Sequence, residues 1–360
     1  MSAFGSRASG LRLERIQASP RFLDGAFRNS ARVAQGLKRG SGLATAGQYF
    51  FGGERRKPPA PLPSVSPLDT WSRPPASGLR ATWLGHSSVL LEIDGLNILT
   101  DPVWGERASP YSFAGPKRFQ PVPIAIDALP PLDAVIVSHD HYDHLDYPTI
   151  LALAGRDVPF YTSLGVGAHL ESWGIPAARI VELDWWESAR LPRGELTITA
   201  APSQHFSGRG MRDRNHTLWS SFVVRTAKHG VFFSGDTGLT AEYAEIRTRL
   251  GPFDLVMLEV GAFHPSWGDI HLGPENALEA LALLGGGALL PVHWGTFNLA
   301  IHAWDDPAET LLRLAPPRKV QLVMPRLGAA VEPSRGEVVD PWWRTVAAIA
   351  ASKELEPATL

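Results

Sequence analysis

The sequence predicts an α/β fold in which two β-sheets pack face to face and helices cover the outside. Three observations carry that prediction. Short β-rich runs fall into two groups along the chain, and helical stretches follow the strands of each group. Elements in that order bury their apolar faces as layers. The 360 residues, 44% hydrophobic and 19% charged, have an ordinary globular composition and enough chain for one large core or two modest ones.

In chain order, residues 1–57 show weak periodicity and many Gly, Ser and Arg. They hold eleven Lys/Arg against three Asp/Glu, a local net of +8, so the remainder carries −10 in a chain of net −2. "KPPAPLPSVSP" (57–67) reads as an extended linker, because closely spaced prolines exclude helix and favour a polyproline-like path. Residues 1–67 are therefore expected to form a basic arm and Pro-rich linker.

From about residue 79 the pattern tightens. "LRATWLG", "SVLLEID" and "LNILT" read as strands separated by Gly and polar turns, as in "EIDG" before "LNILTDP". Further strands are expected at 134–137, 195–201, 221–225, 230–234, 254–259 and 288–292. Helices are expected around 148–155, 165–173, 240–250 and 274–285. The last opens on Pro274 and stops at glycines 285–287. The main domain is expected over 68–335, with a C-terminal helix and tail over 336–360. There is no tandem repeat and no long low-complexity tract.

Several function classes are disfavoured by composition. No run of about 18 apolar residues exists, so no membrane span is expected. The first twenty residues lack the continuous apolar core of a secretory signal, which predicts a cytoplasmic protein. A net charge of −2 argues against a nucleic-acid partner. Cysteine is absent, so the chain has no disulfide and any metal must be held by nitrogen and oxygen alone.

The chemistry concentrates in "SHDHYDHLDY" (138–147), directly after the apolar run "AVIV". His139, His141, Asp143 and His144 lie there, and three further candidates also sit just past expected strands: His205 in "PSQHFSG", Asp236 in "FFSGDTG" and His293 in "PVHWGTF". Side chains at strand ends converge along one rim of a sheet. The spacing His-x-His-x-Asp-His lets a tight turn send two histidines to one metal and the Asp-His pair to another. His139, His141, His205 and Asp236 would surround one ion. Asp143, His144, His293 and Asp236 would surround the other, with Asp236 bridging. Imidazole and carboxylate suit two Zn²⁺, with Fe or Mn as alternatives. Such ions sit roughly 3.5–4 Å apart and clamp a bridging hydroxide.

The order of these residues resembles the metallo-β-lactamase superfamily, whose fold is an αβ/βα sandwich with a dinuclear metal at the edge between two sheets. "WLGHSSVLLE" (83–92), "LTDPVW" (99–104), "GPKRF" (115–119), "ELDWWE" (182–187), "PSQH" (202–205), "GPFDL" (251–255) and "HWGTFNLA" (293–300) are similar to its N-acyl-phosphatidylethanolamine-hydrolysing phospholipase D-like branch. The resemblance covers residues 68–335, which would make that segment the catalytic domain. "SPRFLDGAFRN" (19–29) resembles the start of bacterial members.

The resemblance implies cleavage of a phosphodiester bond in a phospholipid of the N-acyl phosphatidylethanolamine type by the bridging hydroxide. Asp143 would both ligate and orient the attacking water, and His271 matches a family histidine near the substrate phosphate. His86 matches the family pattern as an outer histidine or a loop residue. Asp101 could hydrogen-bond a ligand histidine or cap the turn before Pro102. His264 departs from the family, where an acidic residue is more familiar. Expected partners are the phospholipid, a membrane surface touched peripherally by the basic arm, and a second copy of the chain. Trp104, Trp185, Trp186, Trp219, Trp267 and Trp294 could line an acyl groove or pack the core.

Three rivals remain open. A sugar-phosphate lactonase of the same fold has similar "GH" and "TDP" segments, but "GPKRF" and "ELDWWE" favour the lipid branch. A nuclease would want a basic substrate surface, which a −10 domain does not offer. A non-catalytic regulator retaining the fold has no reason to keep a complete ligand set.

Overall fold

The computed structural model describes residues 2–38, 40–336 and 338–346. Residues 337 and 347–360 of the expected C-terminal helix and tail lie outside the described residues. The chain opens with α1 (Gly10–Ala18), the small ribbon β1 (Phe22–Leu23) and β2 (Ala26–Phe27), then α2 (Gly42–Phe51) and the short α3 (Leu68–Trp71). The first large sheet takes β3 (Leu79–Gly85), β4 (Ser88–Ile93), β5 (Leu96–Thr100), β6 (Ala134–Val137), β7 (Phe160–Ser163) and β8 (Ile180–Leu183). Helices α4 (Tyr147–Leu153) and α5 (Gly167–Ser172) connect its last three strands.

The second sheet takes β9 (Ser188–Arg190), β10 (Thr197–Ala201), β11 (Ser221–Arg225), β12 (Gly230–Phe233), β13 (Leu255–Glu259) and β14 (Ala288–Val292). Its parallel strands are joined by α6 (Glu242–Leu250) and α7 (Gly273–Leu283). After α8 (Asp306–Leu314), β15 (Ala330–Val331) returns to the first sheet. Strand order is β15-β3-β4-β5-β6-β7-β8 in one sheet and β14-β13-β12-β11-β10-β9 in the other.

The alternation of side chains explains the layers. In β6, Ala134 and Ile136 join a core cluster that also holds Ile198, Phe222 and Val224 of the second sheet. Val135 and Val137 face the other way, against Ile150 and Leu153 of α4 and Leu170 of α5. Both faces of the strand are thus covered, as a parallel strand requires. The two-sheet sandwich expected from the sequence is the fold observed. The sequence reading passed over β7, β8 and α8. In β7 all four residues are buried, so it shows no alternation to read.

The arm and linker lie against the rest of the chain. Arg12 of α1 bonds Glu182 and Glu171 at 2.5 and 2.6 Å, and Ile16 packs with Leu218 and Trp219. Within the Pro-rich stretch, Leu62 exchanges two backbone bonds with the buried Gln120 side chain.

Candidate metal centre

The strands β3, β5, β6, β10, β12, β13 and β14 run so that their carboxyl ends reach one edge of the sandwich, and the candidate residues follow those ends. After β6 the motif folds tightly on itself, with the backbone N–H of both His144 and Leu145 donating to His141 O. Asp146 then caps α4 by accepting from Thr149 N at 3.2 Å. Opposite, Gly235 has φ +55°, and a Cβ there would lie 2.6 Å from Ser138 Cβ. Only glycine lets the Asp236 loop approach this closely.

Two groups of donors result. Around the first, His139 Nε2 and His205 Nε2 lie 2.9 and 3.2 Å from His141 Nδ1, and 3.9 and 3.7 Å from Asp236 Oδ2. In the second, Asp143 Oδ2 lies 3.0 Å from His86 Nε2, 3.2 Å from His293 Nε2 and 3.6 Å from His144 Nε2. Asp236 reaches both groups. Its Oδ1 is 3.1 Å from His144 Nε2, and its Oδ2 is 3.2 Å from His293 Nε2. Four-residue sets His139–His141–His205–Asp236 and His86–Asp143–His144–His293 could each hold a metal ion, as could Asp236–His271–His293. The structure thus gathers all seven expected ligands and adds His86 to the second group.

The arrangement fits cations. Donors bound tetrahedrally at about 2.0–2.1 Å sit roughly 3.3 Å from one another, within the range of separations just given. His144 Nε2 and Asp236 Oδ1, 3.1 Å apart but out of hydrogen-bond alignment, are buried with no hydrogen-bond partner among the described residues, a state that a bound cation relieves. Outer acceptors also aim the rings. His144 Nδ1 bonds Asp101 Oδ2 at 2.6 Å, His205 Nδ1 bonds Ile270 O at 2.9 Å, and His139 Nδ1 bonds Ser138 Oγ at 2.9 Å. Each protonated Nδ1 leaves the Nε2 lone pair for the centre. Asp101 is fully buried and also accepts from Ser138 N and Oγ, so it meets a candidate ligand rather than only capping a turn. Asp101, His86 and His293 all have positive φ, at 32°, 51° and 64°. Left-handed backbone at non-glycine residues is costly and collects at functional sites.

The electrostatics are tightly coupled. Burial raises the carboxyls of Asp236 and Asp143, yet neighbouring histidines, His144 foremost, overcome it and hold both well below the ordinary range. Burial disfavours charge on His144 and His293, but Asp236 and Asp143 prevail. They hold His144 well above its usual value and push His293 up to about 10. Burial and adjacent positive rings keep His139 and His205 well below, and take His86 down to about 3.

His271 precedes α7, with Nδ1 4.0 Å from Asp236 Oδ2 and 3.2 Å from Glu259 Oε1. It lines a cavity of about 450 Å³ together with Trp267, Lys38 and Arg313. His264 stands on the same cavity but outside the donor groups, bonded to Gln48 Oε1 at 3.0 Å. A larger cavity, about 840 Å³, lies at the far end of α7 around Gly285 and Arg318 and touches none of these residues. Trp185, Trp219 and Trp294 are buried in core clusters. Sequence reasoning missed Glu259, whose only signal was a lone carboxylate in the apolar run "LVMLEV".

Comparisons with known proteins agree with this geometry. Residues 96–294 match the family model described as a beta-lactamase superfamily domain. The chain is 45% identical over 348 residues to an uncharacterized protein of Mycobacterium tuberculosis, covering 95% of this chain and 92% of that one. It is 39% identical over 254 residues to N-acyl-phosphatidylethanolamine-hydrolyzing phospholipase D 1 of Caenorhabditis elegans, covering 68% of this chain and 71% of that one. Among solved structures, the metallo hydrolase Igni18 of Ignicoccus hospitalis shares the fold with a TM-score of 0.54 at 23% identity, covering 70% of this chain and 97% of that one.

Proposed function

Because the chain belongs to the metallo-β-lactamase superfamily and to the phospholipase D-like branch of its metal-dependent hydrolases, we propose that it cleaves a phosphodiester bond of N-acyl phosphatidylethanolamine-type phospholipids at a dinuclear zinc site. The observation that carries this reading is the Asp236 carboxylate between the paired donor groups: its Oδ2 lies 3.2 Å from His293 Nε2 of one and 3.7 Å from His205 Nε2 of the other, while Oδ1 meets His144. His139, His141, His205 and Asp236 are the ligands proposed for one ion. Asp143, His144, His293 and Asp236 are those for the other, with His86 near enough to join them.

Bound there, two cations would acidify a water and neutralise the phosphoryl oxygens. The chain's own residues supply the rest. Asp143, 14% exposed while its histidine neighbours are nearly sealed, is placed to accept a proton from that water. His271 faces the cavity where a substrate phosphate would enter and can exchange a proton with the leaving oxygen.

Peripheral membrane contact is supported by α2. "GLATAGQYFF" carries no charge, Leu43 and Phe51 are 92% and 89% exposed, and basic residues flank it in sequence. Gln48 of α2 touches His264 on the wall of the cavity, so a lipid surface met by α2 would lie near the centre. Among the described residues no helix is long and apolar enough to cross a membrane.

Metal analysis joined to a substrate panel tests the function. An N-acyl phospholipid, an ordinary phospholipid, a generic phosphodiester and a sugar lactone should be compared on the zinc-loaded protein. Turnover of the phosphodiesters with the N-acyl lipid preferred is expected. Lactone turnover alone would sink the reading.

A further inference from the structure

Glu259 ends β13 with its side chain fully buried. Its Oε1 accepts from Leu272 N at 2.7 Å and lies 3.2 Å from His271 Nδ1, while Oε2 is buried without a hydrogen-bond partner. An under-satisfied buried carboxylate costs free energy, so a structural reason alone does not account for it. Leu272 N–H donates to Oε1, and an ionised Glu259 can only accept. Facing that carboxylate, the His271 nitrogen at 3.2 Å carries the proton. His271 Nε2 has no protein partner among the described residues, and the ring forms part of the cavity wall beside Asp236.

Resting on the phosphodiesterase reading above, we propose that Glu259 is a positioning residue that locks His271 as the Nδ1–H tautomer, so that Nε2 serves the leaving oxygen. As the attacking water's oxygen bonds to phosphorus, its proton passes by way of Asp143 to the free lone pair of Nε2, and the ring becomes an imidazolium with Glu259 behind Nδ1–H. The phosphorus–oxygen bond to the departing alcohol breaks with its electron pair going to that oxygen, which takes the proton from Nε2 and leaves the ring in its Nδ1–H form. The ring needs a fixed orientation and a defined face for both transfers, and a carboxylate behind Nδ1 supplies them. Glu259 itself touches neither substrate nor metal ligand in this scheme.

Proton donation matters most for a poor leaving group, which sets the test. Glu259→Gln keeps the shape and removes the carboxylate. Zinc-loaded wild type and variant are compared on N-palmitoyl phosphatidylethanolamine, whose leaving group is an alkoxide, and on bis(4-nitrophenyl) phosphate, whose leaving phenolate needs no proton. The variant should lose about 10–100-fold in kcat on the lipid with little change in KM. It should lose far less on the nitrophenyl diester and keep its zinc, and Glu259→Asp should recover part of the loss. Independently of activity, ring ¹⁵N shifts of the metal-free wild type should give the Nδ1–H form for His271. Wild-type kcat on the lipid in Glu259→Gln, or an Nε2–H tautomer in wild type, overturns the proposal. A wild type that cleaves neither diester sinks the functional reading instead, and the tautomer then decides the role of Glu259. It decides equally if the variants do not fold.

Discussion

Asn29 holds His205 by both sides of its backbone, donating from Nδ2 to His205 O at 2.9 Å and accepting from His205 N at Oδ1 at 3.0 Å. Gln35 adds a second bond to the same carbonyl at 3.0 Å. The basic arm therefore forms part of the frame around a candidate metal ligand.

Replacing Asn29 by Ala removes both of its bonds to His205 and the one its Oδ1 accepts from Trp219 Nε1 at 3.1 Å, a cost of roughly 1–3 kcal/mol. Zinc affinity should fall, and most strongly at the ion assigned to His139, His141 and His205. Titration of the apo-protein with a competing chelator would read this as one weakened site out of two. Two unchanged sites would mean that the arm does not support the centre.

Asp101→Asn tests the outer acceptor of His144. The amide can still accept at one atom, but it loses the charge that fixes Nδ1–H and so loosens the ring. Such changes weaken metal affinity about 10–100-fold. Zinc content after dialysis against a weak chelator, measured beside Asp236→Ala, gives a scale. Asp236→Ala should lose stoichiometric zinc outright, and retention of both ions in that variant would end the dinuclear assignment.

The metal-free protein should show a particular pH dependence. His293 sits at about 10, above an unfolded imidazole near ~6.5, so its pairing with Asp236 and Asp143 stabilises fully below about pH 6.5. That contribution is lost as pH rises from there towards 10. Asp236 and Asp143, held well below their ordinary values, add stability that is present above about pH 4 and is lost in acid. Thermal melts of chelator-treated protein should therefore decline from pH 6.5 to 10, and zinc should flatten that decline because ligation needs neutral histidines. A flat or rising metal-free profile would contradict the pairing.

Arg80 and Glu92 form a bidentate pair across β3 and β4, nearly sealed from solvent, at 2.5 Å for both bonds. Arg80→Ala strands a buried carboxylate, and breaking such a pair costs about 3–5 kcal/mol. Urea unfolding of the variant would measure it. A loss below 1 kcal/mol would show that water or relaxation rescues Glu92.

Leu43→Ser, alone and with Phe51→Ser, tests α2 as a lipid contact. Burying a leucine side chain is worth about 1.5–3 kcal/mol, so partition onto anionic vesicles should drop roughly tenfold or more. Equal flotation of wild type and the double variant would remove α2 from the membrane reading.

Much of this protein was written locally. Four candidate ligands fall within 139–144, and a single turn after an apolar strand is enough to bring them together, so their spacing was legible without a fold. The absence of cysteine restricted the donors to imidazole and carboxylate in the same direct way. Strand ends at 205, 236 and 293 could be placed because apolar runs stop there. What only the tertiary structure decided are pairings between distant segments: Asn29 with His205, 176 positions apart, His86 with Asp143, 57 apart, and Glu259 with His271 across a loop. The physical reason is that these contacts depend on sheet register and on how connecting loops pack. Nothing in the residues around a lone Asn or Glu records that until the chain has closed on itself.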